Sequence, residues 1–341
     1  MVIRELKPEE HGRTRTLYET VFSEDEKRFV EYYYRYRAAE NVIFGAEDAA
    51  GLHAMAHLNP CGISWNGKTE EISYLVAVAT QAEYRHQGLM RRLLELALRR
   101  EQQRKAPFVF LMPAAEAIYL PFGFRRAWNW RWEEEAVGKA GTGEPEITAR
   151  ERSAGLQAAE SGGRFWIPLS VCKDAELEEL SRQVNRKLAD RFSLFVHRTP
   201  AYYRRLEKEQ EASGGRLDVF FENGIPVTAR CSAREEFPPM MARITDLEAF
   251  LARVRTRRER TCFWRICDPI LPANDGCFEV TLTEAGGRLR RLPEHSGTAD
   301  TGGFSEAADG TAKAVKLDIS QVPGALGDDN PFARAMICEV V

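Results

Sequence analysis

Residues 72–124 carry the pattern that most limits what this chain can fold into. A nearly continuous apolar run from Ile72 to Thr80 precedes Tyr84-Arg85-His86-Gln87-Gly88-Leu89-Met90-Arg91, and from Leu89 the apolar period becomes helical. Leu89, Leu93 and Ala97 share one helix face with Met90 and Leu94, while Arg91, Arg92, Glu95 and Arg99 point outward. Phe108–Met112 is a second short apolar run. Together these pieces predict a β–loop–α–β unit with parallel strands and a right-handed crossover. The chain therefore belongs to the α/β class rather than to the all-helical or all-strand classes.

The loop opening that helix has the makings of an anion site. Backbone amides from Gln87 to Arg91 have no partners inside the helix and lie at the positive end of its dipole. Gly88 admits a ligand close to the backbone, and Arg85 or Arg91 adds charge. A pyrophosphate fits there. Taken alone, the same letters also suit a plain solvated helix start.

A competing phosphate motif fails on context. Gly62 to Thr69 satisfies G-x-x-x-x-G-K-[ST] letter for letter, but that pattern needs a helix after the loop. Here Ile72 to Val78 is strand-like, so Asn66-Gly67 reads as a tight hairpin turn.

Along the chain, the aromatic-rich stretch Tyr18–Arg37 is expected to be one helix. Strands are expected at Val42–Phe44, Leu52–Leu58, Phe165–Leu169, Cys262–Cys267 and Phe278–Leu282. Helices are expected at Ala175–Arg191, Ala201–Glu211 and Asp246 to about Arg258. Leu217–Glu222 and Ile225–Cys231 form a hairpin around Asn223-Gly224. Gly138–Gly163 suits a linker, Thr298–Thr311 a turn region, and Met241–Ile244 a strand opening a third block. Three units follow, at 1–133, 134–238 and 239–341.

Two sets of residues complete a family pattern. Arg85-x-x-Gly88 resembles the R/Q-x-x-G-x-G/A cofactor motif of the GNAT N-acetyltransferases, with Met90 in the place of the last small residue. Val78-Ala79-Thr80, the loop just quoted, Pro113-Ala114-Ala115-Glu116-Ala117-Ile118-Tyr119 and Phe122-Gly123-Phe124 together resemble the enhanced-intracellular-survival (Eis) acetyltransferases. Arg243-Ile244-Thr245-Asp246-Leu247-Glu248 extends the likeness toward the end of the chain. The resemblance implies tandem GNAT-like domains with mixed central sheets, the second degenerate, then a smaller sterol-carrier-protein-like α+β domain.

The resemblance also implies acetyl-CoA as cosubstrate, no metal, and direct transfer of acetyl to a primary amine. The acceptor would be an aminoglycoside-like, polyamine or lysine amine, carried by a small molecule or a peptide. Backbone groups of Val78, Ala79 and Thr80 would pair with the pantetheine arm. Arg85, His86, Gln87, Gly88, Leu89, Met90 and Arg91 would hold the pyrophosphate, with Ala114 and Ala115 near the thioester. Tyr119 matches the general acid: a phenol near pKa 10 can donate to a thiolate whose acid has a pKa near 8.5. The carboxylate of the last residue, Val341, matches the general base, and the apolar ending Met336, Ile337, Cys338, Val340, Val341 suits a buried final strand. Asp25, within the acidic run Glu24–Glu26, and Glu339 beside the base are candidates to hold the cationic acceptor. A trimer-based hexamer is the implied assembly. A non-catalytic acetyl-CoA sensor or lipid-binding module remains the alternative.

Composition removes other classes. With 48 Lys and Arg against 51 Asp and Glu, bulk charge offers no attraction for nucleic acid. The run Arg253, Arg255, Arg257, Arg258, Arg260 reads as a solvated helix face. No apolar run is long enough to span a bilayer and the first residues lack a leader pattern, so a cytoplasmic protein without a membrane partner is expected. Seven cysteines without C-x-x-C spacing argue against a disulfide framework or structural zinc.

Overall fold

The computed structural model describes residues 1–132, 163–232, 237–293 and 314–337. Residues 138–162 of the expected linker, the turn region 298–311, and the candidates Glu339 and Val341 lie outside those residues.

The chain opens with β1 (Val2–Glu5), α1 (Arg15–Val21), α2 (Lys27–Tyr32), β2 (Val42–Asp48), β3 (Gly51–Trp65) and β4 (Lys68–Thr80). Then follow α3 (Leu89–Gln103), β5 (Phe108–Leu111), α4 (Glu116–Tyr119) and β6 (Arg125–Trp128). The next stretch holds β7 (Arg164–Pro168), α5 (Asp174–Arg191), β8 (Leu194–Val196), α6 (Pro200–Ala212), β9 (Leu217–Glu222) and β10 (Ile225–Cys231). Last come β11 (Met240–Ile244), α7 (Leu247–Leu251), β12 (Arg260–Cys267), β13 (Gly276–Thr283), β14 (Gly286–Leu292), β15 (Val315–Asp318) and β16 (Ala335–Met336).

A nine-stranded sheet runs β1-β2-β3-β4-β5-β11-β6, with β8 attached to β3 and β16 to β8. Smaller sheets run β10-β9-β7 and β14-β13-β12-β15. The β4–α3–β5 crossover joins parallel strands, as the sequence pattern requires. Asn66 and Gly67, at φ 49° and 81°, turn β3 into β4, so the phosphate-like motif is a hairpin. Asn223 and Gly224 do the same for β9 and β10.

Three local expectations need correction. Tyr18–Arg37 is not one helix: Ser23-Glu24-Asp25-Glu26 breaks it, with Asp25 accepting the Tyr18 hydroxyl at 2.8 Å. The Asp246 helix stops at Leu251, because the Arg253 side chain takes the Ala249 carbonyl and pairs with Glu70, leading the chain away extended. Residues 253–260 are therefore no helix face. Finally, the strand expected at the opening of the third block, β11, forms but pairs in the first sheet, between β5 and β6. All five of its residues are buried, a pattern that only a central strand covered on both faces satisfies.

Residue alternation divides the core. Phe108, Phe110, Met240, Ala242 and Trp128 face the cluster shared with α5, whereas Val109, Leu111 and Met241 face α3. Beside α1 and α2 lies a buried polar chain. Asn59 donates to Asn41 (2.8 Å) and Asn41 to the Tyr33 hydroxyl (3.2 Å), leaving the phenol proton for His57 Nδ1 at 2.7 Å. Complete burial drives the His57 pKa down to about 3. Unfolded His57 binds a proton near pH 6.5 and folded His57 does not, so its contribution to stability is lost as pH falls. About 2 kcal/mol should disappear from this residue between pH 7 and pH 5. Urea titrations of the parent and of His57→Gln isolate that share; equal losses in both proteins would refute it.

Among the described residues, no helix is long and apolar enough to cross a membrane.

Candidate active site

The site begins where β4 parts from β5. The two strands pair only at Ser73–Val109 and Tyr74–Phe110, whereas β4 stays on β3 as far as Thr80. The β4 edge beyond Tyr74 thus carries backbone groups that β5 leaves unpaired, including those of Val78, Ala79 and Thr80. A bulge accompanies the parting: the register jumps between Met55 and His57, and Ala77 takes a left-handed φ of 50°. Such a conformation is strained for alanine and is held by packing of Ala77 among the residues of α1 and α2.

The loop after β4 is braced from below. His53 stacks on Tyr84 with ring centroids 3.7 Å apart, and its two nitrogens contact Asp48 Oδ1 (2.7 Å) and Gln81 Oε1 (2.8 Å). Burial opposes charge on His53, but these two oxygens outweigh it and raise its pKa. Tyr84 opens the quoted loop, but no sequence signal marked His53 as its brace.

The loop then turns through two left-handed residues, His86 (φ 61°) and Gly88 (φ 74°). A Cβ added at Gly88 would meet no atom within 4 Å, so backbone conformation and the open approach, rather than crowding, call for glycine there. The first hydrogen bond inside α3 runs from Arg92 N to Gly88 O at 3.1 Å, which leaves the amides of Leu89, Met90 and Arg91 as the helix's orphan donors. Arg85, His86, Gln87 and Arg91 are exposed around them. Arg85 donates to the Thr80 carbonyl (3.3 Å) and Gln87 to that of Glu83 (3.2 Å). An anion with several oxygens is the ligand this cradle suits.

Tyr119 closes α4 on the same side of the sheet. It shares a buried cluster with Leu89, Leu93 and Phe122, and packs edge-on to Phe124 at 6.0 Å. Arg91 lies over the Phe122 ring at 5.1 Å, tying the turn that follows α4 to the first turn of α3. Burial pushes the Tyr119 phenol up to about 12. Among the described residues its hydroxyl has no hydrogen-bond partner. Ala114 and Ala115 are exposed between the end of β5 and α4.

The other candidates are placed differently. Asp25 sits in the turn between α1 and α2, fixed by the Tyr18 hydroxyl, on the helix pair that covers Ala77 and Ala79. Ile337, the last described residue, accepts a 3.0 Å bond from Trp128 Nε1. Trp128 belongs to the cluster facing α5, opposite the one that holds Tyr119. A further residue emerges that sequence reasoning did not single out by role: Arg243 on β11 donates to the Phe122 carbonyl (3.2 Å) and to Asp268 (2.6 Å).

Residues 2–127 match the family profile of the acetyltransferase (GNAT) domain. This segment is a GNAT acetyltransferase domain. It is an acyltransferase's catalytic fold, with acetyl-CoA as its cosubstrate. No curated protein matches the chain. Among solved structures, a probable N-acyltransferase from Enterococcus faecalis is 14% identical with a TM-score of 0.67, over 98% of this chain and 95% of that one. A GCN5-related N-acetyltransferase from Anabaena variabilis is 12% identical with a TM-score of 0.65, over 100% of both chains. Eis1 from Mycobacterium abscessus is 13% identical with a TM-score of 0.59, over 94% of this chain and 88% of that one. At these identities the likeness is one of fold, and it extends beyond the GNAT domain along nearly the whole chain.

Proposed function

We propose that this protein moves an acetyl group from acetyl-CoA directly to a primary amine, without a covalent enzyme intermediate. The observation that carries the reading is the coincidence of two backbone features: the β4 edge left open by β5, and the orphan amides that start α3 behind left-handed Gly88. Val78 to Thr80 then pair with the pantetheine amides as an added strand would, and Gly88 to Arg91 hold the pyrophosphate with Arg85, His86 and Gln87 around it. Ala114 and Ala115 leave room beside the thioester.

Tyr119, the general acid of this reading, keeps its hydroxyl proton aimed at the departing sulfur as a hydrogen bond, and the sulfur leaves as a thiolate. The amine proton passes to a carboxylate, for which Val341 at the end of the sequence is our candidate, with Asp25 and Glu339 holding the cationic acceptor. Support for this part is indirect: Ile337 lies against β6, which β11 separates from β5, and on the sheet face opposite Tyr119, so the last four residues would have to cross to the acetyl-transfer side. The reading keeps units at 1–133, 134–238 and 239–341, with β11 lent to the first sheet, a sterol-carrier-like third unit, and a cytoplasmic homo-oligomer.

The test is thiol release from acetyl-CoA against a panel of aminoglycosides, polyamines and lysine peptides. Turnover with at least one amine is expected. Gly88→Val should raise the acetyl-CoA KM at least tenfold, because a β-branched residue resists the left-handed backbone and its side chain occupies the approach. Acetyl-CoA binding without thiol release against every amine would favour a sensor and defeat the enzyme reading.

A further inference from the structure

The arginine run finds its place at a cavity of about 1030 Å³ well away from the acetyl-transfer groups, between the tip of the β3–β4 hairpin, residues 253–260 and residues 325–331. Its walls are tied together by charged contacts. Arg253 grips both Glu70 oxygens at 2.5 Å, and its carbonyl accepts from Asn66 Nδ2 at 2.9 Å. Arg260 reaches across to Asp329 (2.6 Å) and to the Leu326 carbonyl (3.0 Å). Buried Thr256 shapes the strap between them: its amide donates to the Thr283 carbonyl, and its hydroxyl bonds to both the Arg258 amide and the Arg258 carbonyl.

With those two arginines neutralised, Arg255, Arg257 and Arg258 remain exposed on the wall, without a carboxylate partner among the described residues. Arg334 adds a fourth guanidinium, held to the Arg191 carbonyl at 3.2 Å. Glu284 and Asp328 also line the cavity, so positive charge exceeds negative on its walls. On the inner side lies Trp65, 2% exposed, whose indole N–H is buried without a partner among the described residues. Like charges crowded on one strap repel one another, and a multivalent anion relieves that repulsion while accepting paired N–H donors. The volume is that of a small-molecule site.

We propose that this cavity binds a small polyphosphate anion, separate from the acetyl donor. The phosphates engage Arg255, Arg257 and Arg258, with Arg334 as a further donor. The shared chemistry is a chain of phosphates, whether free or carried by a nucleoside.

Calorimetric titration of the full chain with inorganic triphosphate and with ATP tests it, in parallel with Gly88→Val, Arg255→Ala/Arg258→Ala and Arg257→Glu. Saturable binding is expected, weakened at least tenfold in both arginine variants and unaffected by Gly88→Val; melting temperatures of the arginine variants should match the parent. ATP binding more tightly than triphosphate would assign the ligand to nucleotides, and equal affinities to inorganic polyphosphate; either supports the site. Absence of binding at millimolar concentration would overturn it, as would binding that Gly88→Val weakens and the arginine variants leave intact.

Discussion

Tyr119→Phe is expected to lower kcat about 100-fold while leaving the acetyl-CoA KM within a factor of two or so, the low end of what a positioned acid contributes. The size follows from the phenol's surroundings. With its pKa pushed up to about 12 by burial, Tyr119 is well above the roughly 8.5 of a typical thiol, so full proton transfer to sulfur is uphill. The hydroxyl instead stabilises developing negative charge by donating a hydrogen bond, and it stays protonated throughout the neutral range. The pH profile supplies a second readout: no limb attributable to Tyr119 should appear below about pH 10. Removing the hydroxyl subtracts no packing from the Phe124 contact, so the variant should fold normally. Full activity in the Tyr119→Phe protein would take Tyr119 out of the chemistry and leave thiolate departure to backbone donors.

Asp268→Ala should cost about 3–5 kcal/mol of stability, the usual loss when one member of a buried ion pair is removed. Arg243 and Asp268 have side chains 1% and 0% exposed, and their 2.6 Å bond joins β11 of the first sheet to the segment after β12. Asp268 also accepts the amides of Ile270 (3.2 Å) and Leu271 (3.0 Å) and the Asn274 side chain (2.9 Å), so alanine leaves several donors unsatisfied at once. Because Arg243 also holds the Phe122 carbonyl beside Tyr119, the folded fraction of this variant should show a reduced kcat as well. Denaturant unfolding measures the first effect and acetyl-CoA turnover the second. A loss under about 1 kcal/mol would mean that the pair is not the tie between the two units. Replacing both partners by leucine and methionine should recover part of the stability, since no charge is then stranded in the interior.

The legible parts of this protein are those written in contiguous residues. The nearly continuous apolar run Ile72–Thr80, the Gly88 loop and the period of Leu89 to Ala97 define one crossover unit, because a strand and a helix each announce themselves through neighbours along the chain. The Asn66-Gly67 turn was readable for the same reason: the left-handed backbone it needs is a property of those two residues. The aromatic helix failed at Ser23–Glu26, where side-chain hydrogen bonding outcompeted the helical pattern, and the Asp246 helix failed where one arginine found Glu70, 183 residues away in sequence.

By itself, then, the sequence determined the crossover, the left-handed turn that opens α3 and the hairpins, all governed by short-range backbone preference. Tertiary structure alone decided that β11 returns to wedge between β5 and β6, that β4 opens past Tyr74, and that Arg255 to Arg258 line a cavity instead of a helix face. Those outcomes depend on which distant buried surfaces and charges meet, and local propensity holds no record of a partner more than a hundred residues away.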